Sequence, residues 1–185
     1  MFMRTNRLFL RPGWPEDCAQ LRRGLGDRAV ARNLASVPWS CDELKDHASL
    51  ARPFDPRTPN LLVTLPGADG APVIGGCGFG PREHGDDIEL GFWIARAHWG
   101  RGYATEAVRG LLSVARATGL RRLEADHFLD NPASARVLAK SGFAPTGEIV
   151  RRFSLARREA APCARYAVDL DEAEARMSAS VPAAA

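Results

Sequence analysis

The chain has 185 residues, 45% of them hydrophobic and 25% charged, with a net charge of +3. That composition excludes collagen, coiled coil and wholesale disorder, and the length suits one core rather than two ordinary domains. No apolar run approaches the ~20 residues of a membrane span, and Arg4 and Arg7 interrupt the opening stretch before a signal-peptide core could form, so a cytoplasmic protein is expected.

Arg7-Leu8-Phe9-Leu10-Arg11 reads as a short strand, stopped by Pro12 and Gly13. Trp14-Pro15-Glu16-Asp17 then starts a helix in which Cys18, Leu21 and Leu25 keep helical spacing up to Gly24 and Gly26. A second helix is predicted over 42–52, after the Pro38-Trp39-Ser40 break. Pro53, Pro56 and Pro59 forbid regular structure until an apolar strand at 61–65, and a turn over 67–72 returns the chain through a strand at 73–79.

The next strand is the most legible. Ile88, Leu90, Phe92 and Ile94 alternate with Glu89, Gly91 and Trp93, so one face is core and the other presents Glu89. Over 105–118 the period becomes helical, with Val108, Leu111, Leu112 and Ala115 on one stripe and Gly119 closing it. A strand at 123–128 precedes a helix announced by Asn131-Pro132-Ala133-Ser134, with Asn as N-cap and Pro in the first helical position, ending at Gly142. Strands at 146–150 and 165–170 follow, joined by an Arg-rich loop, and 171–185 reads as a disordered tail. The order predicts a mixed α/β (α+β) fold in which a strand-helix-strand unit sits beside an antiparallel meander.

The four cysteines, at 18, 41, 77 and 163, form no CxxC pair and have no histidine at ligand spacing, so no metal site is expected. Arginine doublets at 22–23, 121–122, 151–152 and 157–158 read as solvated surface without an aromatic platform for nucleic acid. A Walker string is absent, and the formal GxGxxA at Gly24 lacks the preceding strand that a dinucleotide fold requires.

Trp99-Gly100-Arg101-Gly102-Tyr103-Ala104-Thr105 joins a strand to a helix through two glycines. Close backbone approach and unpaired helix N–H groups make such a junction a phosphate site, although an ordinary turn uses the same residues. The Asn131 helix start lies one strand further on. Two consecutive parallel strands, each followed by a helix, put both helix N-termini on one sheet edge, where one ligand can touch both.

Glu89-Leu90-Gly91-Phe92-Trp93-Ile94, the 99–107 segment, Asn131-x-x-Ser134 and Gly142-Phe143 together resemble the GNAT superfamily of acyl-CoA-dependent N-acyltransferases. Thr5-Asn6-Arg7-Leu8-Phe9-Leu10-Arg11-Pro12 is similar to the start of its ribosomal-protein-alanine N-acetyltransferase (Rim-type) branch. The resemblance spans about residues 4–170 and implies one domain with a mostly antiparallel sheet of about seven strands and a splayed central parallel pair. It implies acetyl-CoA as co-substrate, no metal, and an amine acceptor, either a protein N-terminus or a small molecule. A monomer or homodimer that engages neither nucleic acid nor membrane fits this reading.

By position, the turn from Trp99 to Thr105 would bind the CoA diphosphate, Phe92, Trp93 and Ile94 would receive the pantetheine arm, and Asn131 and Ser134 would border the thioester. Trp99 stands where the family commonly has Gln or Arg, and Leu138 stands where many relatives carry an acid tyrosine. Glu89 is the candidate base, the alternative being a solvent-facing residue or the partner of a nearby arginine; Asp126 and His127 are fallbacks. Ser134 is the candidate proton donor to the leaving thiolate, or simply a helix cap or pantetheine contact. A catalytically silent CoA-binding sensor is the rival function.

Overall fold

Eight strands form a single sheet in the computed structural model, which describes residues 1–35, 55–67, 71–82 and 87–171. The strands are β1 (Met3–Arg4), β2 (Phe9–Pro12), β3 (Asn60–Thr64), β4 (Val73–Pro81), β5 (Ile88–Ile94), β6 (Arg122–Phe128), β7 (Ala144–Ser154) and β8 (Glu159–Asp169), in the order β1-β2-β3-β4-β5-β6-β8-β7. The helices are α1 (Cys18–Leu25), α2 (Arg28–Ala31), α3 (Tyr103–Ala117) and α4 (Pro132–Lys140). Every pairing is antiparallel except β5 with β6, which is parallel. The mixed, mostly antiparallel sheet is therefore as expected, with Met3–Arg4 as an eighth strand beyond the anticipated seven.

The strand alternation decides what each face of the sheet carries. Leu90 and Ile94 of β5 and Leu123 and Ala125 of β6 pack in one core with Val108, Leu111, Leu112 and Ala115 of α3 and Leu138 of α4. Phe92 joins its margin. The alternate residues, Glu89, Gly91 and Trp93 on β5 and Glu124, Asp126 and Phe128 on β6, project to the other face. There α1 lies over Trp93 so tightly that a Cβ at Gly24 would be 2.7 Å from the indole ring.

Two elements depart from the sequence reading. The Arg-rich loop is mostly strand: β7 and β8 pair from Ser154↔Glu159 back to Ala144↔Ala167, leaving only 155–158 as the turn. Its pattern was hidden because the inward face carries Arg152 and Ser154 rather than apolar residues. The first strand also begins later, at Phe9, because Thr5 and Arg7 are drawn to the first turn of α3. Glu106 accepts from Thr5 Oγ1 (2.6 Å), the Arg7 amide (2.6 Å) and Arg7 Nε (2.7 Å). The helix expected over 42–52 and the tail over 172–185 lie outside the described residues.

The β4–β5 pairing leaves no room for side chains at Gly75, where a Cβ would stand 2.3 Å from the Trp93 carbonyl oxygen and 2.7 Å from Ile94 Cδ1. Gly75→Ala is expected to cost about 1–3 kcal/mol through overpacking, read as a fall of several degrees in Tm. Gly80→Ala, whose nearest neighbour would be 3.6 Å away, should leave Tm unchanged.

Candidate active site

Strands β5 and β6 share a single bridge, Glu89↔Glu124, and beyond it they part. The gap holds a cavity of about 290 Å³ bordered by Phe92, His127 and Ser134 from the α3/α4 side and by Glu89, Asp126 and Arg152 from the α1/α2 side. It is thus lined from both faces of the sheet.

At the far end of β5 the chain turns through Gly100 (φ +73°) and Gly102 (φ +78°), left-handed conformations that glycine adopts without strain. A Cβ on Gly100 would meet nothing within 4 Å, so the turn faces open space. The first hydrogen bond of α3 runs from the Glu106 amide to the Gly102 carbonyl (3.1 Å). Among the described residues the amides of Tyr103, Ala104 and Thr105 have no partner, and Gly102 supplies no side-chain cap. Three free N–H groups at the positive end of a 15-residue helix suit an anion. Arg7 adds charge here, its guanidinium 4.7 Å from the Tyr103 ring and its Nη1 donating to the Arg101 carbonyl (3.0 Å).

The other predicted residues fall around this path. Trp99 Nε1 donates to the Ile94 carbonyl (2.6 Å), so its indole N–H is spent within the fold. The Trp93 ring lies under α1, and a Cβ at Gly76 would be 2.6 Å from its Nε1, leaving only the Trp93 backbone to face the gap. Asn131 caps α4, accepting from the Ser134 amide (3.3 Å) and donating Nδ2–H to Ser134 Oγ (2.8 Å). Ser134 is therefore not the cap. With Oγ already accepting, its O–H is free to donate into the cavity. Leu138, at the family's tyrosine position, is fully buried.

The arginines opposite Glu89 and Asp126 were not legible as site residues. Arg152 Nη1 donates to both Glu89 oxygens (3.0 Å each) and to Asp126 Oδ2 (3.1 Å). Arg82 donates to Asp126 (2.6 Å) and Glu124 (3.1 Å), and Arg165 Nε donates to Asp126 (3.2 Å). Arg152 and Arg157, read as solvated doublet members, are instead tied down. Arg157 forks onto both Asp130 oxygens (2.9 and 2.7 Å) with its guanidinium over the Phe128 ring. Of the alternatives for Glu89, the arginine partnership is present. His127 lies across from Tyr166, ring centroids 5.3 Å apart, and Nδ1 meets the Phe128 carbonyl at 2.9 Å. Because a carbonyl only accepts, Nδ1 carries the proton there and Nε2 has a free lone pair in the neutral ring.

Two thiols are inert by environment. Burial pushes Cys77 up to about 12. Cys163, which borders the cavity, is pushed up to about 11 by burial and the nearby Asp126 charge. For Asp126, burial alone would raise the pKa, but hydrogen bonds and charge from Arg82 and then Arg165 outweigh it and hold the carboxyl below its usual value. Its stabilisation is complete above the unfolded value of 3.8 and is withdrawn as pH falls through the lower folded value. The urea midpoint should thus hold from about pH 7 to 5 and drop below about pH 4. Asp126→Asn, which leaves buried guanidinium groups underpaired, should lose about 3–5 kcal/mol at neutral pH and show a shallower acid limb.

The comparisons agree with this geometry. Residues 7–144 match the acetyltransferase (GNAT) domain family. The chain is 28% identical over 171 residues to the uncharacterized N-acetyltransferase p20 of Bacillus licheniformis, covering 84% of this chain and 96% of the relative. Its fold is similar to that of spermidine N-acetyltransferase from Vibrio cholerae, solved with CoA and spermine (TM-score 0.73, 19% identity, 91% and 98% of the chains). It is also similar to that of yncA from Salmonella typhimurium, solved with acetyl-CoA (TM-score 0.65, 21% identity, 90% and 96%). With the family match covering most of its length and the parted strand pair in place, the chain belongs to the GNAT family of N-acetyltransferases.

Proposed function

We propose that the protein moves the acetyl group of acetyl-CoA onto a primary amine by direct attack in a ternary complex. The observation that carries this reading is the cavity between the parted strands β5 and β6, lined by Ser134 from one face and by Glu89 from the other. Backbone amides over 99–105 take the diphosphate, and the unpaired edge of β5 at Phe92, Trp93 and Ile94 takes the pantetheine arm as an added strand. Arg101 adds charge at the turn, and Asn131 and Ser134 border the thioester.

The amine nitrogen attacks the thioester carbonyl, so a C–N bond forms and the C–S bond breaks. Glu89 takes the amine proton, directly or through a water, using the carboxylate lone pairs that Arg152 leaves open. A β5 amide beyond the last bridge meets the developing oxyanion. The Ser134 hydroxyl donates a hydrogen bond to the leaving sulfur, helped by the positive end of α4; the thiolate takes up one proton and Glu89 releases the one it received through solvent, so both side chains are restored and the products are an amide and the CoA thiol. Asp126 is held by three guanidinium groups and His127 sits on the opposite face from Glu89, so both rank behind Glu89 as base.

Thr5 to Pro12 supports placement near the ribosomal-protein-alanine branch, with one folded unit over 4–170. The acceptor is a protein N-terminus or a small-molecule amine, met by a cytoplasmic monomer or homodimer. Thiol release from acetyl-CoA, with product mass, across peptides, amino acids, polyamines and aminoglycosides tests the reading. Turnover on at least one amine is expected, and Ser134→Ala should lower kcat by about 10- to 10³-fold. Glu89→Gln should lower kcat and flatten the acid limb of the pH–rate curve while sparing CoA affinity. Saturable CoA binding without turnover on any amine would instead establish a sensor, and an unchanged pH–rate curve in Glu89→Gln would remove Glu89 as base.

A further inference from the structure

Among the described residues the Arg152 side chain makes its hydrogen bonds through one nitrogen: Nη1 serves both Glu89 oxygens and Asp126, and Nε and Nη2 have no partner there. Arg152 borders the cavity with its side chain 26% exposed, and its Nε–Nη2 edge is the part of the fork that the described residues leave unengaged. That edge is the one that receives a carboxylate through two parallel hydrogen bonds. The neighbouring arginines are more heavily committed: Arg82 spends Nη1 and Nη2 on Asp126 and Glu124, and Arg165 spends Nε and Nη1 on Asp126 and Glu148.

The surroundings are rich in arginine. A second cavity of about 540 Å³ lies on this face, bordered by Arg28, Arg32, Arg96 and Arg157 and by Asp27 and Glu159, with Arg32 and Arg157 both paired to Asp130. It adjoins the first, because Arg32 precedes Asn33 on the first cavity's wall and Arg157 stacks on Phe128 there. Asp27 is occupied as the α2 cap, accepting from the Ala29 amide at 2.8 Å. An acceptor bearing its own carboxylate meets guanidinium groups along this face.

We propose that the acceptor is a free α-amino acid, its carboxylate held by the Nε–Nη2 edge of Arg152 and its amine beside Glu89. This rests on the acetyl-transfer reading above and names the substrate class for that same site. An α-amino acid carries its two charges on one carbon, and the Glu89–Arg152 pair offers the complementary charges side by side, so a zwitterion docks on the ion pair with its charges reversed. The amine is thereby held at the base. The bound ammonium first gives a proton to Glu89, which passes it to solvent; the amine then attacks the thioester carbonyl, the C–S bond breaks, and the second nitrogen proton leaves by Glu89 while the CoA thiolate takes up one proton, so the products are the N-acetylamino acid, the CoA thiol and one proton released.

The test uses the full chain with acetyl-CoA and four acceptor sets: free amino acids, their carboxamides, short peptides and spermine. The expected result is turnover of one or more amino acids, with kcat/KM for the matching carboxamide lower by about 10- to 100-fold, the scale of a lost charge-assisted hydrogen bond. Arg152→Gln should raise KM for the amino acid by a similar factor and bring the acid-to-amide ratio near one at unchanged CoA affinity, and Arg152→Lys should recover part of the ratio. Equal use of acid and amide by the wild-type protein, or preference for peptides or spermine, overturns the proposal while leaving acetyl transfer standing. Absence of turnover on every amine, with CoA bound, overturns both. The wild-type comparison decides the matter even if the Arg152 variants do not fold.

Discussion

The central constraint is that β5 and β6 meet at one point only. Their bridge sets Glu89 directly beside Glu124, two carboxylates projecting to the same face, an arrangement that like-charge repulsion disfavours. Arg82 answers both, 3.8 Å from Glu89 and 3.1 Å from Glu124, and Arg152 and Arg165 complete the neutralisation around Asp126. Beyond that root no bridge joins the two strands, and the apolar residues of their other face pack with α3 and α4. The opening above the root is lined from both faces of the sheet.

This arrangement also separates the tasks of the two faces. Behind the sheet, α3 and α4 present amides and a hydroxyl, groups suited to phosphate and sulfur. In front stand ionised side chains from β5, β6, β7 and β8 and from Arg82, just past the end of β4. A cluster so heavily charged is costly to bury and stays in place only because each member is paired. The same pairing fixes the Glu89 carboxylate in space.

Much of the frame could be read from the chain. The β5 alternation, the apolar stripe of α3 and the Asn131-Pro132 start of α4 each repeat a local rule that packing does not override. The glycine turn was legible for the same reason, since Gly100 and Gly102 mark a backbone shape other residues avoid. The charged face was not. Arg152 reaches Glu89 across 63 positions and Arg82 reaches Asp126 across 44, and no local pattern announces such a meeting. Arg152 and Ser154 face inward on β7, so the strand carries its polar residues where a periodicity argument expects apolar ones. Without the strand, the arginine doublet looked like surface.

Glu106 has a consequence of another kind. It sits in the first turn of α3 and is reached only by residues some hundred positions earlier, Thr5 and Arg7. During synthesis the amino-terminal segment leaves the ribosome long before its anchor exists, so the clasp closes only after some hundred residues have followed it, yet before the last three strands of the sheet are made. A carboxylate left bare at that helix start would repel any anion from the open amides of Tyr103, Ala104 and Thr105; with Arg7 across it, the charge is answered and the amides stay available.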